Sequence, residues 1–484
     1  MNPPSTSPLN ETHLRRRAFL KGAFTLGAVS LLTPALLRAT ASGEAPAILK
    51  TGSGQKVKLA CVGIGNRGGD IIKALHATGL AEIVALCDTD MGAPHTEKTL
   101  KAFPGIPRFQ DFRQMFDKMG KDIEAVSVGT PDFSHFPITM LAMSLGKHVY
   151  CEKPMAHSYR QTELMMAAEA KYKIVAQMGN QGHSEENYFQ FKAWTEAGII
   201  KDVTKITAFM NNTRRWHGKT YPDYLPEEPV PATLDWDCWL ATAETHRYNK
   251  GYQNGEWRSW FDFGNGALGD WGAHMIDTAH EFLALGLPTE INPKLEGYSP
   301  LVFPQASTLE FKFPARGKLP PVDLTWYDGQ QNLPQLPENY GDAIVDGDIP
   351  PPTAGANDAK KLIPGKVLYS ETLTFKGGTH AKGLQILPSA NARDIASRLP
   401  KVPKTPSNHF ANFLLACQGR EATRSNFAVS GPLCQAMALG IIAQRVNSPL
   451  KFDPVTRRIT NHRVADALLD GPPPRKNWEQ FYRL

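Results

Sequence analysis

The residues whose spacing first suggests chemistry are Asp270, His274 and Asp277, at i, i+4 and i+7 in a stretch that opens with Gly266-Ala267-Leu268-Gly269. On a helix that spacing puts all three on one face. A carboxylate one turn from an imidazole can orient or charge the ring, as general acid–base catalysis requires. Metal ligation and a purely structural Asp–His pair draw on the same residue types. Two or three N/O ligands without a further ligand cluster make metal the weaker reading, and no metal is expected.

A second group, Gly63-Ile64-Gly65-Asn66-Arg67-Gly68, directly follows the apolar run Lys58 to Val62 and opens a helix. Gly63 permits a tight turn. Gly65 lets the backbone, with Asn66 and Arg67 beside it, approach a pyrophosphate, and Gly68 lets helix and strand pack closely. The free N–H groups at the helix start then face the anion. Asp88, 25 residues after Gly63, closes the second strand and can accept hydrogen bonds from a ribose 2′-hydroxyl. NAD is therefore favoured over NADP, since a 2′-phosphate would meet Asp88 and Asp90, a repulsion that Arg67 partly offsets.

The ends of two later strands supply the rest. Ligands of open α/β sheets bind just outside the carboxyl ends of the strands. Gly129-Thr130-Pro131-Asp132 follows one such end and Glu152-Lys153-Pro154 another, so Thr130, Pro131, His135, Glu152 and Lys153 are candidate cofactor contacts. Lys153 can also hydrogen-bond a substrate hydroxyl or carry a proton. A capping histidine and a solvated strand-end lysine are the alternatives for His135 and Lys153.

The elements that must position these groups alternate from Lys56 to Met178. Short runs at Lys58 to Val62, Ile83 to Cys87, Ala125 to Val128, His148 to Cys151 and Ile174 to Met178 flank helical spacing at Asp70 to Ala77, Phe136 to Leu145 and Tyr159 to Tyr172. That alternation is the signature of βαβ units, so residues 55–178 are expected to form a doubly wound parallel sheet of the α/β class. The next stretch changes character. A helix at Tyr188 to Ala197 and a strand at Lys205 to Met210 lead into a Trp- and Tyr-rich region from Arg214 to Trp271. Strands at Leu309 to Phe313, Val322 to Trp326 and Leu368 to Phe375 then follow without helices between them, which implies a large, mainly antiparallel sheet in an α+β domain over 179–450. Residues 332–364, rich in Pro, Gly and Asp, are expected to be a long surface loop. Late helices are expected at His409 to Cys417 and Cys434 to Arg445, and 451–484 as a C-terminal tail.

Glycine loop, strand-end Asp, Thr-Pro…His, Glu-Lys-Pro and Asp-x-x-x-His-x-x-Asp, in that order over about residues 56–450, together resemble the glucose-fructose oxidoreductase and inositol dehydrogenase (Gfo/Idh/MocA) family. The resemblance implies a Rossmann domain followed by an α/β domain whose open sheet forms oligomer interfaces, and hence a homo-oligomer. It assigns Lys153, Asp270 and His274 to catalysis of hydride transfer from a ring carbon to nicotinamide, with His274 or Lys153 taking the hydroxyl proton. Arg214, Trp216, Trp257, Arg258 and Asp277 are then candidate contacts to a sugar, polyol or glycoside.

Apolar residues make up 42% and charged residues 21%, which excludes disordered and collagen-like classes. The formal net charge is +6, but residues 1–41 hold five basic side chains against Glu11, leaving about +2 for the rest. A body so nearly neutral lacks the basic footprint of a nucleic-acid binder. Six scattered cysteines offer no C-x-x-C pair and imply neither zinc nor disulfides. Arg16-Arg17-Ala18-Phe19-Leu20-Lys21, an apolar run from Gly22 to Leu37 and Ala39-Thr40-Ala41 are similar to a twin-arginine signal. The sixteen-residue run is shorter than the roughly 20 residues that span a bilayer, so no stable anchor is expected in the mature chain. Export of a folded protein to the periplasm, where no free NAD pool exists, implies a tightly held cofactor. Two alternatives share that logic: a redox-neutral glycoside hydrolase working by oxidation, elimination, hydration and reduction, and a non-catalytic exported sugar-binding relative. The Glu-Lys-Pro and Asp-x-x-x-His pattern favours the oxidoreductase.

Overall fold

In a computed structural model of the chain, residues 54–210, 218–329, 332–337, 340, 364–379 and 383–484 are described. The first sheet contains β1 (Val57–Val62), β2 (Ala81–Cys87), β3 (Arg108–Phe109), β4 (Ala125–Val128), β5 (His148–Glu152) and β6 (Ala176–Gly179). All its pairs are parallel, in the order β3-β2-β1-β4-β5-β6. Helices α1 (Asn66–Ala77), α2 (Pro94–Ala102), α3 (Phe112–Met119), α4 (His135–Ser144) and α5 (Tyr159–Tyr172) connect the strands. The strand order reverses between β1 and β4, and their carboxyl ends flank the crevice where a ligand fits.

Both faces of this sheet are buried. Val57, Leu59 and Cys61 of β1 pack with Ile71, Ile72 and Leu75 of α1, while Ala60 and Val62 point into the main core. A strand covered on both faces needs a continuous apolar run, and that is why the sequence showed runs here rather than alternation. All six cysteines are buried free thiols. The run from Ile174 yields a strand that starts two residues later, at Ala176. The elements α2 and β3 lie where the sequence shows no strong period, whereas α3 carries Phe112, Met115, Phe116 and Met119 at helical spacing and was missed. Asp111 sets the start of α3, its carboxylate accepting the Arg113 N–H at 2.8 Å.

The second sheet has nine strands in the order β13-β12-β11-β7-β10-β9-β8-β14-β15. They are β7 (Val203–Met210), β8 (Glu290–Glu296), β9 (Ala306–Phe313), β10 (Val322–Asp328), β11 (Gly365–Ser370), β12 (Thr374–Gly377), β13 (Gln385–Leu387), β14 (Leu450–Asp453) and β15 (Arg458–Ile459). Among the described pairs, β7 with β10 is parallel and the others antiparallel. Leu309, Phe311 and Phe313 of β9 are buried while Glu310 and Lys312 between them are not, so one face of the sheet carries the core. Beyond α6 (Glu186–Glu196), that face is covered by α7 (Gly266–Phe282) and, after α8 (His409–Cys417), by α9 (Phe427–Val446). Among the described residues α9 alone is long and apolar enough to cross a membrane, and it lies buried inside the protein.

Two expectations change. Leu368 to Phe375 is not one strand but the hairpin β11–β12, turned where the Ser370 hydroxyl accepts the Leu373 N–H and donates to its carbonyl. The segment 451–484 is no loose tail: β14 pairs with β8, and Trp478 and Phe481 pack on Phe112 of the first domain. The late helix expected at His409 to Cys417 is present as α8 and packs back on the body, against α1, through Phe413, Leu414 and Cys417. Of the long loop at 332–364, only 332–337, 340 and 364 are among the described residues.

Candidate active site

The glycine loop is a place where backbone packs on backbone. Gly63 has φ +79°, and a Cβ there would lie 2.7 Å from the carbonyl carbon of Gly129. A Cβ on Gly68 would lie 2.1 Å from the Gly63 carbonyl oxygen. The turn, the start of α1 and the end of β4 therefore touch directly, as the sequence predicted for the first and third glycines. Helix α1 begins at Gly65 without a side-chain cap, so its first N–H groups are available to an anion. Asn66 takes φ +45°, a left-handed conformation that asparagine tolerates.

Around this loop opens a cleft of about 1450 Å³ lined by Gly65, Asp88, Thr130, Lys153, Asp270 and His274, among others. Asp88 accepts the Ile64 N–H at 3.0 Å and the Asp90 N–H at 3.2 Å, and stands 3.7 Å from the His95 Nε2. Arg67 does not reach toward Asp88 and Asp90 to offset their charge. It pairs instead with Glu152 at 3.2 Å, and that carboxylate raises its pKa. His135 is also corrected. Its ring nitrogens lie 2.9 Å from the Thr130 carbonyl and 2.8 Å from that of Pro154, so it braces two loops of the rim and keeps no ring nitrogen for a ligand.

The two distant motifs meet. Lys153 Nζ donates to Asp270 Oδ1 at 2.6 Å and to the Asp270 carbonyl at 2.7 Å, joining the end of β5 to the second turn of α7. His274, one turn on, lines the same cleft with its ring edge-on to Trp271 at 5.7 Å. Trp257 and Arg258 form part of the wall, with the guanidinium 4.1 Å from the Trp257 ring centre. Arg214 and Trp216 lie outside the described residues.

Asp277 is not a cleft residue. It is buried two turns further along the same face of the helix, with Oδ2 2.5 Å from His183 Nδ1 and 2.5 Å from the Asn180 amide nitrogen. Seven residues on a helix advance only about 20° short of two full turns, but α7 is covered all round, so sharing a face did not mean sharing an exposure.

Residues 57–180 match the oxidoreductase family with an NAD-binding Rossmann fold, and residues 195–292 match that family's C-terminal alpha/beta domain. Both matched stretches are domains of the Gfo/Idh/MocA family. Inositol 2-dehydrogenase of Salmonella typhimurium is 27% identical over 180 residues, which are 37% of this chain and 51% of that protein. A glycosyl hydrolase family 109 protein of Streptomyces niveus is 30% identical over 206 residues, 37% of this chain and 41% of that one. The chain thus spans about half the length, or less, of these curated relatives. The WlbA dehydrogenase from Bordetella pertussis, solved with NADH and UDP-GlcNAcA, shares the fold at TM-score 0.53 and 14% identity, over 82% of this chain and 99% of that one.

The matched Rossmann domain is an NAD-binding one, and the residues present fit that cofactor. The glycine loop offers bare backbone, Asp88 offers carboxylate oxygens beside it, and Thr130 Oγ1 is buried in the wall with no partner among the described residues. At 1450 Å³ the cleft exceeds the roughly 300–1,000 Å³ of a single-ligand pocket, leaving room for a second molecule.

The sequence reading missed the turn after β6, Asn180-Gln181-Gly182-His183. Gln181 donates to Glu152 at 3.3 Å and to the Tyr150 hydroxyl at 3.0 Å. Asn180 donates to the Ala273 carbonyl at 3.0 Å, and His183 sits between Asp277 and Glu281, 2.7 Å from the latter. Burial alone would lower the His183 pKa, but the two carboxylates outweigh it and raise it to about 10. With Asp132 accepting from Asn265 at the helix start, α7 is fixed to the Rossmann rim at several heights. The rule that led to Lys153, that ligands gather at strand ends, would have found this turn had it been applied to the sixth strand too.

Proposed function

We propose that this protein oxidises or reduces a carbon-bound hydroxyl of a sugar, polyol or glycoside with tightly held NAD, and that it is exported by the twin-arginine route. The observation that carries the reading is the convergence of Lys153, Asp270 and His274 in the cleft of the glycine loop, with Lys153 Nζ 2.6 Å from Asp270 Oδ1. When bound, nicotinamide supplies the site that takes the hydride. Lys153, steered by Asp270, donates a hydrogen bond to the substrate oxygen and favours negative charge there. His274 takes the hydroxyl proton as the C–H bond breaks, leaving a carbonyl, and returns it in the reverse direction. Trp257 and Arg258 line the cleft with the guanidinium stacked over the indole, so this wall offers a planar cation that can hydrogen-bond the hydroxyls of a sugar ring.

A second reading is redox-neutral glycoside hydrolysis, which the similarity to glycosyl hydrolase family 109 proteins supports. Both are tested by incubating the NAD-loaded protein with free sugars, polyols and chromogenic aryl glycosides, following NADH and released phenol together. Accumulating NADH supports the oxidoreductase. Phenol release without net NADH supports the hydrolase, and neither signal across the set overturns both.

A further inference from the structure

His95 is engaged by neither motif above, yet it stands at the corner where the adenosine ribose of a dinucleotide must sit. It lies in the first turn of α2, and its Nε2 is 3.7 Å from Asp88 Oδ1. Its ring covers the glycine loop so closely that a Cβ on Gly65 would lie 2.1 Å from its Cδ2. The side chain is about one-quarter exposed and lines the cleft with Asp88 and Asp90. Among the side chains named at this corner it is the one whose positive charge can switch near neutral pH, since Arg67 is a permanent cation already paired with Glu152.

We propose that His95 selects between the two coenzymes: it faces the 2′-position of the bound ribose and, when charged, gives a 2′-phosphate the partner that Asp88 and Asp90 deny it. The proposal rests on the cleft being the dinucleotide site. A neutral His95 leaves two carboxylates to repel the phosphate, so NAD is strongly preferred. A protonated His95 neutralises much of that field and can donate to a phosphate oxygen, so NADP is admitted. Asp88 and then Asp90 raise the imidazole above its ordinary value against the opposing effect of burial. The charged groups bearing on the ring are those two carboxylates. On its own helix Glu97 is paired with Lys101, and the charged side chain of the glycine loop, Arg67, is paired with Glu152. Selectivity should therefore change across the pH range in which His95 loses its proton.

The test is calorimetric titration of the full chain, stripped of any bound nucleotide and still folded by circular dichroism, with NAD⁺ and NADP⁺ at about pH 7 and about pH 9, both above the roughly pH 6 at which a phosphate monoester takes its second charge. Because the diphosphate is common to both ligands, the ratio of the two Kd values isolates the 2′-position. In the unaltered protein the NADP⁺-to-NAD⁺ Kd ratio should rise about tenfold between the two pH values, the size of one hydrogen bond to a charged group. His95→Ala should show the high ratio at both pH values, and His95→Lys the low ratio at both. A His95→Ala protein with an unaltered ratio and pH dependence would overturn this proposal while leaving the NAD site intact. Failure of both nucleotides to bind the unaltered protein would overturn the dinucleotide reading and this inference with it.

Discussion

At the scale of residues, the pair Lys153–Asp270 bears the most weight, because it joins a strand end to a helix 117 positions away through a 2.6 Å ion pair. Lys153→Ala should lower kcat by about 10²–10⁴-fold, the range for loss of a positioned proton-transfer group, while leaving NAD affinity within a few-fold. His274→Ala should lower kcat comparably and remove one limb of the pH–rate profile. Steady-state kinetics on the best substrate of the sugar and glycoside set checks both. A His274→Ala protein with full turnover would remove that residue from the chemistry. These residues were legible because their types are unusual at strand ends and on an otherwise apolar helix. Asp277 was misplaced because periodicity fixes direction around a helix and not what covers it. His183 escaped because its function depends on two carboxylates nearly a hundred residues away.

At the scale of elements, the turn after β6 fixes α7, and its ion cluster gives stability a defined pH dependence. The folded pKa of His183, about 10, lies above its ordinary 6.5. Its contribution is therefore fully present below about pH 6.5 and is lost as the pH rises through about 10. Asp277 is the opposite case. Burial would raise its pKa, but His183 and then Lys366 hold it below the ordinary 3.8, so its contribution is present above that value and lost at lower pH. His183→Gln should cost about 3–5 kcal/mol, as breaking a buried ion pair does, and should flatten the alkaline fall in Tm expected for the unaltered protein. Thermal unfolding across the alkaline range checks it, and an identical alkaline fall in the variant would contradict the assignment. The buried parallel strands were readable as apolar runs. The β11–β12 hairpin was not, since its turn depends on one serine hydroxyl. Strand β8, Glu290–Glu296, was missed because its mixed sequence contains Pro293 and alternates weakly.

At the scale of the whole molecule, the sequence indicated a parallel sheet followed by a mainly antiparallel one, and both are present. It indicated that late helices pack back on the body, as α8 does on α1, but not that the last residues return to place Trp478 on Phe112. Such long-range returns are driven by generic apolar burial and leave no local pattern. Export remains a proposal resting on residues 16–41. Substituting Arg16→Lys together with Arg17→Lys should leave the protein inside the cell, as read by fractionation, and unchanged export would remove the twin-arginine reading.

Captive NAD that exchanges hydride with a sugar-like hydroxyl is tested most directly in protein purified without added cofactor. The nucleotide released on denaturation should be identified, and its redox state compared before and after exposure to the sugar, polyol and glycoside set. The expected result is about one NAD(H) per chain, with a redox state that changes in the unaltered protein and not in Lys153→Ala. A chain that carries no nucleotide, or whose nucleotide keeps its redox state with every compound, would contradict it.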